Sequence, residues 1–79
     1  MSKDPPGDDE WLLHERRRIG RRISATREDR NLTQEKVYLS VPINRAYYQE
    51  IEAGQANPSL TMLLRIARAI GVPISDLLR

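Results

Sequence analysis

Apolar residues recur at helical spacing in the first third of this chain. Leu12, Ile19 and Ile23 lie seven and four residues apart, so they fall on one face of a helix. Acidic residues precede them, where the positive end of the helix dipole favours negative charge. Asn31 tolerates the left-handed conformation that often ends a helix. The pattern therefore predicts a long first helix over residues 9–30.

A short second helix is predicted next. Thr33 is suited to cap its N-terminus, and Val37 and Val41 lie four residues apart. Proline disfavours the helical conformation of the residue before it, so Pro42 forces Val41 out of the helix. The second helix must then end near Ser40.

A third helix of about two turns follows after a turn of about three residues. Asn44 is a good N-cap, and Gly54 can terminate the helix in a left-handed conformation. Between them, Ile51 and one of the adjacent residues Tyr47 and Tyr48 are expected to face inward, which leaves the other tyrosine to point toward the turn or a ligand. Alternatively, both tyrosines pack on the core around Tyr38. Two short helices joined by a tight turn are typical of helix-turn-helix proteins.

The C-terminal third predicts two further helices and no strand. A strongly apolar segment begins after Pro58 and is closed by Gly71, and a last short helix follows Pro73. We therefore predict an all-α fold of five helices, with an extended first helix, over residues 9–79. Residues 1–8 are acidic and proline-rich with almost no apolar side chain, which predicts a flexible tail.

The charge distribution points to a polyanionic partner. From Trp11 onward the chain has twelve Lys or Arg against seven Asp or Glu, and eleven of the twelve are Arg. Arginine forms paired hydrogen bonds to phosphate and to guanine edges. The basic run at residues 16–18, 21 and 22 is either in contact with phosphate or simply a solvated helix face.

Other classes of function find little support in the composition. A chain of 79 residues leaves little room for a catalytic pocket, and no titratable residues stand at catalytic spacing. His14, the single histidine, has no second ligand nearby, so neither a metal nor a cofactor is expected. The absence of cysteine suits a cytoplasmic protein, and no apolar stretch is long enough to cross a membrane.

Several short motifs occur in a fixed order, without gaps, over about three quarters of the chain. They are Ile19-Gly20-Arg21-Arg22-Ile23, Leu32-Thr33-Gln34-Glu35, Ile51-Glu52-Ala53-Gly54, Asn57-Pro58-Ser59-Leu60 and Ala69-Ile70-Gly71-Val72. Together they closely resemble the lambda-repressor/Cro-like (XRE-type) helix-turn-helix family. The resemblance implies a five-helix DNA-binding domain whose third helix lies in the major groove of double-stranded DNA.

The resemblance places a recognition helix at residues 44–53. Arg45 stands at its exposed start, where the guanidinium can bond O6 and N7 of a guanine. Gln49 and Glu50 can read adenine and cytosine edges, and Ala46 can contact a thymine methyl group. These four residues are the expected base-reading set.

The resemblance also assigns contacts to the DNA backbone, which fix register without reading sequence. Thr33 and Gln34 at the start of the second helix are expected to face phosphates. Asn44 and Tyr47 at the start of the recognition helix complete this set.

Arg27 and Glu52 match a family pair that forms an internal ion pair, so we expect a structural role for both. Two residues depart from the family pattern. Tyr38 stands where the helices of the unit approach closely and alanine is usual, so its ring must splay them or swing outward. Pro42 replaces a turn glycine and cannot adopt positive φ, so the turn must be built differently.

We expect a sequence-specific transcription regulator that binds as a homodimer, since one helix-turn-helix unit makes few contacts. The dimer contact could use the exposed faces of the last two helices, or Trp11, Leu12 and Leu13; alternatively, Trp11 folds back on its own core. The alternative function is a protein-interaction module on the same fold, such as an antitoxin or a regulatory subunit with a protein partner. An enzyme is not expected.

Overall fold

The computed structural model describes residues 7–79, and over that range the chain is helical without a strand. Its four α-helices are α1 (Asp8–Asp29), α2 (Gln34–Tyr38), α3 (Arg45–Glu52) and α4 (Leu60–Ile70), followed by one 3₁₀ turn (Ile74–Asp76). Of the predicted tail at residues 1–8, residues 1–6 lie outside the described range. Asp8 already belongs to α1. Within the described residues, no helix is both long and apolar enough to cross a membrane.

The helix boundaries follow from capping side chains. The hydroxyl of Thr33 accepts a hydrogen bond from the Lys36 amide, and the Asn44 side chain accepts one from the Tyr47 amide. Each bond satisfies an amide that has no partner within its helix. At the end of α1, Asn31 adopts φ of 57°, the left-handed conformation expected of it.

The prediction of a fifth helix is wrong. Gly71 ends α4 with φ of 91°, and Pro73 directs the chain into one 3₁₀ turn instead of a helix. The Leu77 amide bonds the Ile74 carbonyl at 2.9 Å, which is the three-residue spacing of a 3₁₀ turn. One turn gains too few bonds to offset the cost of nucleating an α-helix. It is nevertheless enough to bury Leu77 completely.

The turn between α2 and α3 is longer than predicted. It occupies residues 39–44 instead of about three residues, because α2 ends at Tyr38 rather than near Ser40. The Ile43 amide bonds the Val41 carbonyl at 2.8 Å, which makes a tight three-residue turn centred on Pro42. The fixed negative φ of proline suits that central position. No residue of the turn has positive φ, so this turn does without the usual glycine.

The core lies where α1, α3 and α4 converge. Its fully buried side chains include Ile23 from α1, Tyr48 from α3 and Ile66 from α4. Packing at this crossing depends on Gly20, because a Cβ atom there would lie 2.4 Å from the Glu52 carbonyl oxygen. Glycine therefore lets α1 approach the end of α3 closely enough to set its position.

We expect Gly20→Ala to destabilise the protein by about 1–3 kcal/mol, the usual cost of overpacking. The added methyl group would collide with backbone, which cannot swing aside, and this cost outweighs the gain in helix propensity. Urea denaturation measures the difference. Ala25→Gly, at an exposed position of the same helix, should cost only about 1 kcal/mol through propensity alone. A Gly20→Ala protein as stable as the wild type would contradict the close approach.

Candidate nucleic-acid interface

Helices α2 and α3 together form a shallow, open depression on one face of the molecule. Its lining comes from the end of α1, from α2 with its N-cap and from the outer side of α3, and consists of Arg27, Thr33, Gln34, Glu35, Tyr38, Arg45 and Gln49. Most of these side chains are polar and the depression is open to solvent. Such a surface suits a large polar ligand better than a small molecule.

The four expected base-reading residues lie on the solvent side of α3. Arg45 is the first residue of the helix, and Ala46, Gln49 and Glu50 are exposed with it. Residues four apart share a helix face, so Arg45 and Gln49 project together, as do Ala46 and Glu50. This surface therefore presents the guanidinium group of Arg45 at the N-terminus of α3 and the side-chain amide of Gln49 one turn later.

The four expected backbone-contacting residues are placed less uniformly. Thr33 and Asn44 are exposed, and each already caps its helix through its side-chain oxygen. Gln34 is half-buried at the start of α2. Tyr47 is half-buried and packs against the core, whereas Tyr48 is fully buried. Both tyrosines thus pack on the core, Tyr48 completely and Tyr47 in part.

Arg27 and Glu52 form a buried ion pair behind this face. Arg27 Nε donates to Glu52 Oε2 at 2.8 Å, and Arg27 Nη2 donates to Glu52 Oε1 at 3.1 Å. The side chains are only 11% and 7% exposed. Arg27 Nη1 also donates to the Leu32 carbonyl at 2.8 Å, so the guanidinium joins α1, the loop before α2, and the end of α3. The pair holds the two short helices to the long one.

Hydrogen bonds extend from the ion pair to the exposed face. Tyr48 donates its hydroxyl proton to Glu52, whose other carboxylate oxygen accepts from Gln34 Nε2 at 3.1 Å. Gln34 Oε1 in turn accepts from Gln49 Nε2 at 3.3 Å. A continuous chain of bonds thus connects the core to a base-reading candidate. No buried side-chain polar atom among the described residues lacks a partner.

The tyrosines show how the molecule accommodates a ring beside α3. Tyr38 packs on Tyr48 with ring centroids 6.3 Å apart and planes tilted by 50°, a favourable arrangement for an aromatic pair. Tyr38 therefore remains half-buried against the core instead of swinging out. The hydrogen bond from the Tyr48 hydroxyl to Glu52 was not predicted from sequence. The two residues are four apart on one helix, a spacing that places their side chains next to each other.

The ionisation of this network follows from its partners. Burial alone would raise the pKa of Glu52, but hydrogen bonds from Arg27, Tyr48 and Gln34 outweigh burial, and the pKa lies below its usual value. The bond to Glu52 raises the pKa of Arg27. Burial, then the bond to Glu52, raises the pKa of Tyr48 well above its ordinary value. All three groups keep one protonation state at neutral pH.

The lowered pKa of Glu52 predicts acid-sensitive stability. A carboxylate with a lower pKa in the folded than in the unfolded state contributes stability above its unfolded value, near 4.5, and loses it as pH falls through the folded pKa. Glu52→Gln removes this titration. In urea denaturation from pH 7 to pH 3, the wild type should lose its advantage over Glu52→Gln as the pH falls. Parallel stability profiles for the two proteins would contradict this role.

The basic run of α1 is partly engaged within the molecule. Arg18 bonds Glu15 at 2.9 Å and the Leu78 carbonyl at 2.7 Å, and Arg22 donates to the Asp76 carbonyl at 2.9 Å. These two arginines fasten the C-terminal segment to α1. Within residues 7–79, no group of three or more potential metal ligands is found.

Known proteins resemble this chain over most of its length. The sequence profile of the Helix-turn-helix family matches residues 23–77. The immunity repressor protein of Bacillus phage phi105 is 39% identical over 57 residues, which make up 72% of this chain and 40% of the repressor. The control protein C.MunI of a Mycoplasma species is 33% identical over 61 residues, or 76% of this chain and 82% of that protein. The control protein C.BamHI of Bacillus amyloliquefaciens is 40% identical over 48 residues, or 61% of this chain and 59% of that protein.

An uncharacterized HTH-type transcriptional regulator of Sinorhizobium fredii, y4dJ, is 32% identical over 57 residues, or 72% of this chain and 74% of that protein. No solved structure matches at a significant level. This chain spans only about two fifths of the phage repressor but most of C.MunI. The profile match covers more than half of the chain and includes α2, α3 and α4. The chain therefore belongs to the helix-turn-helix family of DNA-binding transcription regulators.

Proposed function

We propose that this protein regulates transcription by placing α3 in the major groove of an operator. The observation that carries the proposal is Arg45, an exposed arginine at the first position of a helix whose opposite side is locked to the core. The buried Tyr48 and Glu52 provide that lock. A base-reading side chain needs this kind of rigid support, since small displacements weaken directional hydrogen bonds.

Each proposed base contact follows from the chemistry of one exposed side chain. Arg45 donates two parallel hydrogen bonds to a guanine, and Gln49 bonds an adenine after releasing its own bond to Gln34. The Ala46 methyl group packs on the methyl group of a thymine, and Glu50 accepts from a cytosine amino group. Glu50 finds that amino group only if α3 lies deep in the groove, since phosphates repel a carboxylate.

The proposed backbone contacts flank the reading face. Thr33 and Gln34 at the start of α2 face one phosphate, and Asn44 with Tyr47 at the start of α3 face another. Contacts of this kind supply affinity and register and depend strongly on salt. The bond from Gln34 to Glu52 fixes the position of Gln34 relative to α3, which carries the proposed base-reading residues.

A single α3 reads only a few base pairs, so the proposal includes two copies of the chain on one operator. In helix-turn-helix dimers the two half-sites lie about one turn of DNA apart and mirror the two-fold axis of the protein. A homodimer of this chain should therefore select a sequence with dyad symmetry.

Selection of bound duplexes from a random pool tests this proposal. The enriched sequence should have dyad symmetry, and its affinity should fall steeply as salt rises, because bound arginines release counterions. A scrambled duplex of equal length is the control for non-specific binding. A pool that yields no enriched sequence at any salt concentration would contradict the proposal and favour a protein-interaction module.

A further inference from the structure

A second surface is formed by residues outside the proposed DNA contact. A groove of about 240 Å³ lies between α1 and the segment that leads from α3 into α4. Its apolar lining consists of Leu12, Ile19, Ile51, Ala56, Pro58 and Leu63. Apolar concave surfaces of this kind are stabilised when another apolar group covers them.

Trp11 does not line this groove, but it lies in α1 one turn before Glu15, which does, and residues four apart share a helix face. The side chain is 59% exposed, and the adjacent Leu12, which does line the groove, is 37% exposed. Tryptophan is a large apolar side chain that usually gains by burial, and it is enriched at the centres of protein interfaces. The molecule thus presents an exposed tryptophan and an open groove on one side of α1.

The charges around these two features are complementary. Trp11 directly follows Asp8, Asp9 and Glu10, the acidic first turn of α1. Arg16 stands at the rim of the groove and forms no ion pair with any residue between 7 and 79. The rim glutamate, Glu15, is already paired with Arg18 at 2.9 Å. Trp11 therefore lies next to negatively charged side chains, and the groove is bordered by the positively charged Arg16.

We propose that a second copy of this chain fills the groove with its Trp11 and sets its acidic first turn against Arg16, while the first copy does the same in return. A two-fold interface requires that a projecting group and its receptor lie side by side on one face. Trp11 meets this requirement, because it lies four residues before Glu15 in the groove lining and so shares a helix face with it. The proposal rests on the proposed function, which needs two copies on one operator, and it names their contact.

The two interfaces use different residues. None of the groove-lining side chains belongs to the depression between α2 and α3. Ile51 is part of α3, but it is buried on the side opposite the exposed Gln49 and Glu50. A dimer formed through the groove therefore leaves both recognition helices free for DNA.

The chain of residues 1–79 offers a direct test, because Trp11 is its single tryptophan. As protein concentration rises through the dimerisation range, the fluorescence emission should move to shorter wavelength and acrylamide quenching should weaken. Sedimentation equilibrium should show a monomer–dimer equilibrium over the same range. An emission spectrum that is independent of concentration, or a protein that stays monomeric, would overturn the proposal.

Substitutions separate this interface from other exposed apolar positions. Trp11→Ala should weaken dimerisation by more than about tenfold, as expected for a central interface tryptophan. Leu39→Ala, at a leucine 73% exposed in the turn after α2, is the matched control and should dimerise as the wild type does. Circular dichroism checks that both variants fold. Equal dimerisation of Trp11→Ala and wild type would overturn the proposal.

Charge reversal tests the acidic contact independently. Arg16→Glu should weaken the dimer, and addition of Asp9→Arg and Glu10→Arg to the same chain should restore it. A restored dimer supports the pairing, whereas additive weakening overturns it. The outcome is distinct from that of the DNA experiment: a protein that dimerises through Trp11 but selects no DNA refutes the proposed function alone. Dyad-symmetric DNA selected by a Trp11-independent dimer refutes this interface alone.

Discussion

Arg27→Ala is expected to destabilise the protein by about 3–5 kcal/mol, the cost of leaving one partner of a buried ion pair alone. Glu52 is 7% exposed in its side chain and would keep only its bonds from Tyr48 and Gln34. The Leu32 carbonyl would also lose its guanidinium donor. A loss of this size is a large fraction of the total, since the stability of small domains is only about 5–15 kcal/mol.

Urea denaturation at neutral pH measures this loss. Arg21→Ala is the matched control, because Arg21 is exposed on the same helix and makes no side-chain hydrogen bond to another residue between 7 and 79. We expect the control to stay within about 0.5 kcal/mol of the wild type. If Arg27→Ala were no less stable than Arg21→Ala, the ion pair would not hold α3 in place.

Arg45→Ala is expected to weaken binding to the selected operator by about 1–3 kcal/mol and to relax the preference at one base pair of each half-site. Arg45 is exposed and begins α3, so its removal should leave the fold intact. Its value lies in two hydrogen bonds to one guanine, and no other base presents the same two acceptors.

The measurement compares wild type and variant on the operator and on operators changed at single base pairs. Arg68→Ala, at an exposed position of α4, is the control and should bind all of them as the wild type does. Arg45→Ala should lose affinity only where the guanine is present. An equal loss on every duplex would make Arg45 a phosphate contact instead of a base reader.

Most helix boundaries could be predicted from sequence because local interactions determine them. Thr33 and Asn44 cap their helices through their own side chains, and Gly71 supplies the left-handed residue that ends α4. Pro42 predicted that the chain leaves the helical conformation after α2, but not how many residues the turn to α3 contains. The prediction of a fifth helix is wrong because a few apolar residues after Pro73 can pack through a single 3₁₀ turn as well as through a helix.

The candidate site was less predictable, because its internal support depends on residues distant in sequence. The role of Arg27 and Glu52 came from family resemblance, and the structure places them in contact. How deeply Tyr47 and Tyr48 are each buried depends on the rotation of α3, which packing against α1 decides. The link from Glu52 through Gln34 to Gln49 required the relative positions of α2 and α3, which helical periodicity cannot provide.

The residues on the exposed face of α3 could be predicted from sequence, because residues four apart on an amphipathic helix share a side. Its rigidity could not be foreseen. Tyr48 connects the buried core to Glu52 of the ion pair, and Glu52 connects through the half-buried Gln34 to the exposed Gln49. Helix α3 is therefore held by a polar network as well as by apolar packing.

Amide chemical shifts recorded while the selected duplex is added test most directly whether α2 and α3 bind DNA. We predict that the largest changes fall at the start of α2, near Thr33 and Gln34, and along α3 from Arg45 to Gln49. Amides beside the groove at Leu12 and Leu63 should change little beyond any effect of dimerisation. Large changes along the groove with an unperturbed α3 would contradict the proposed function.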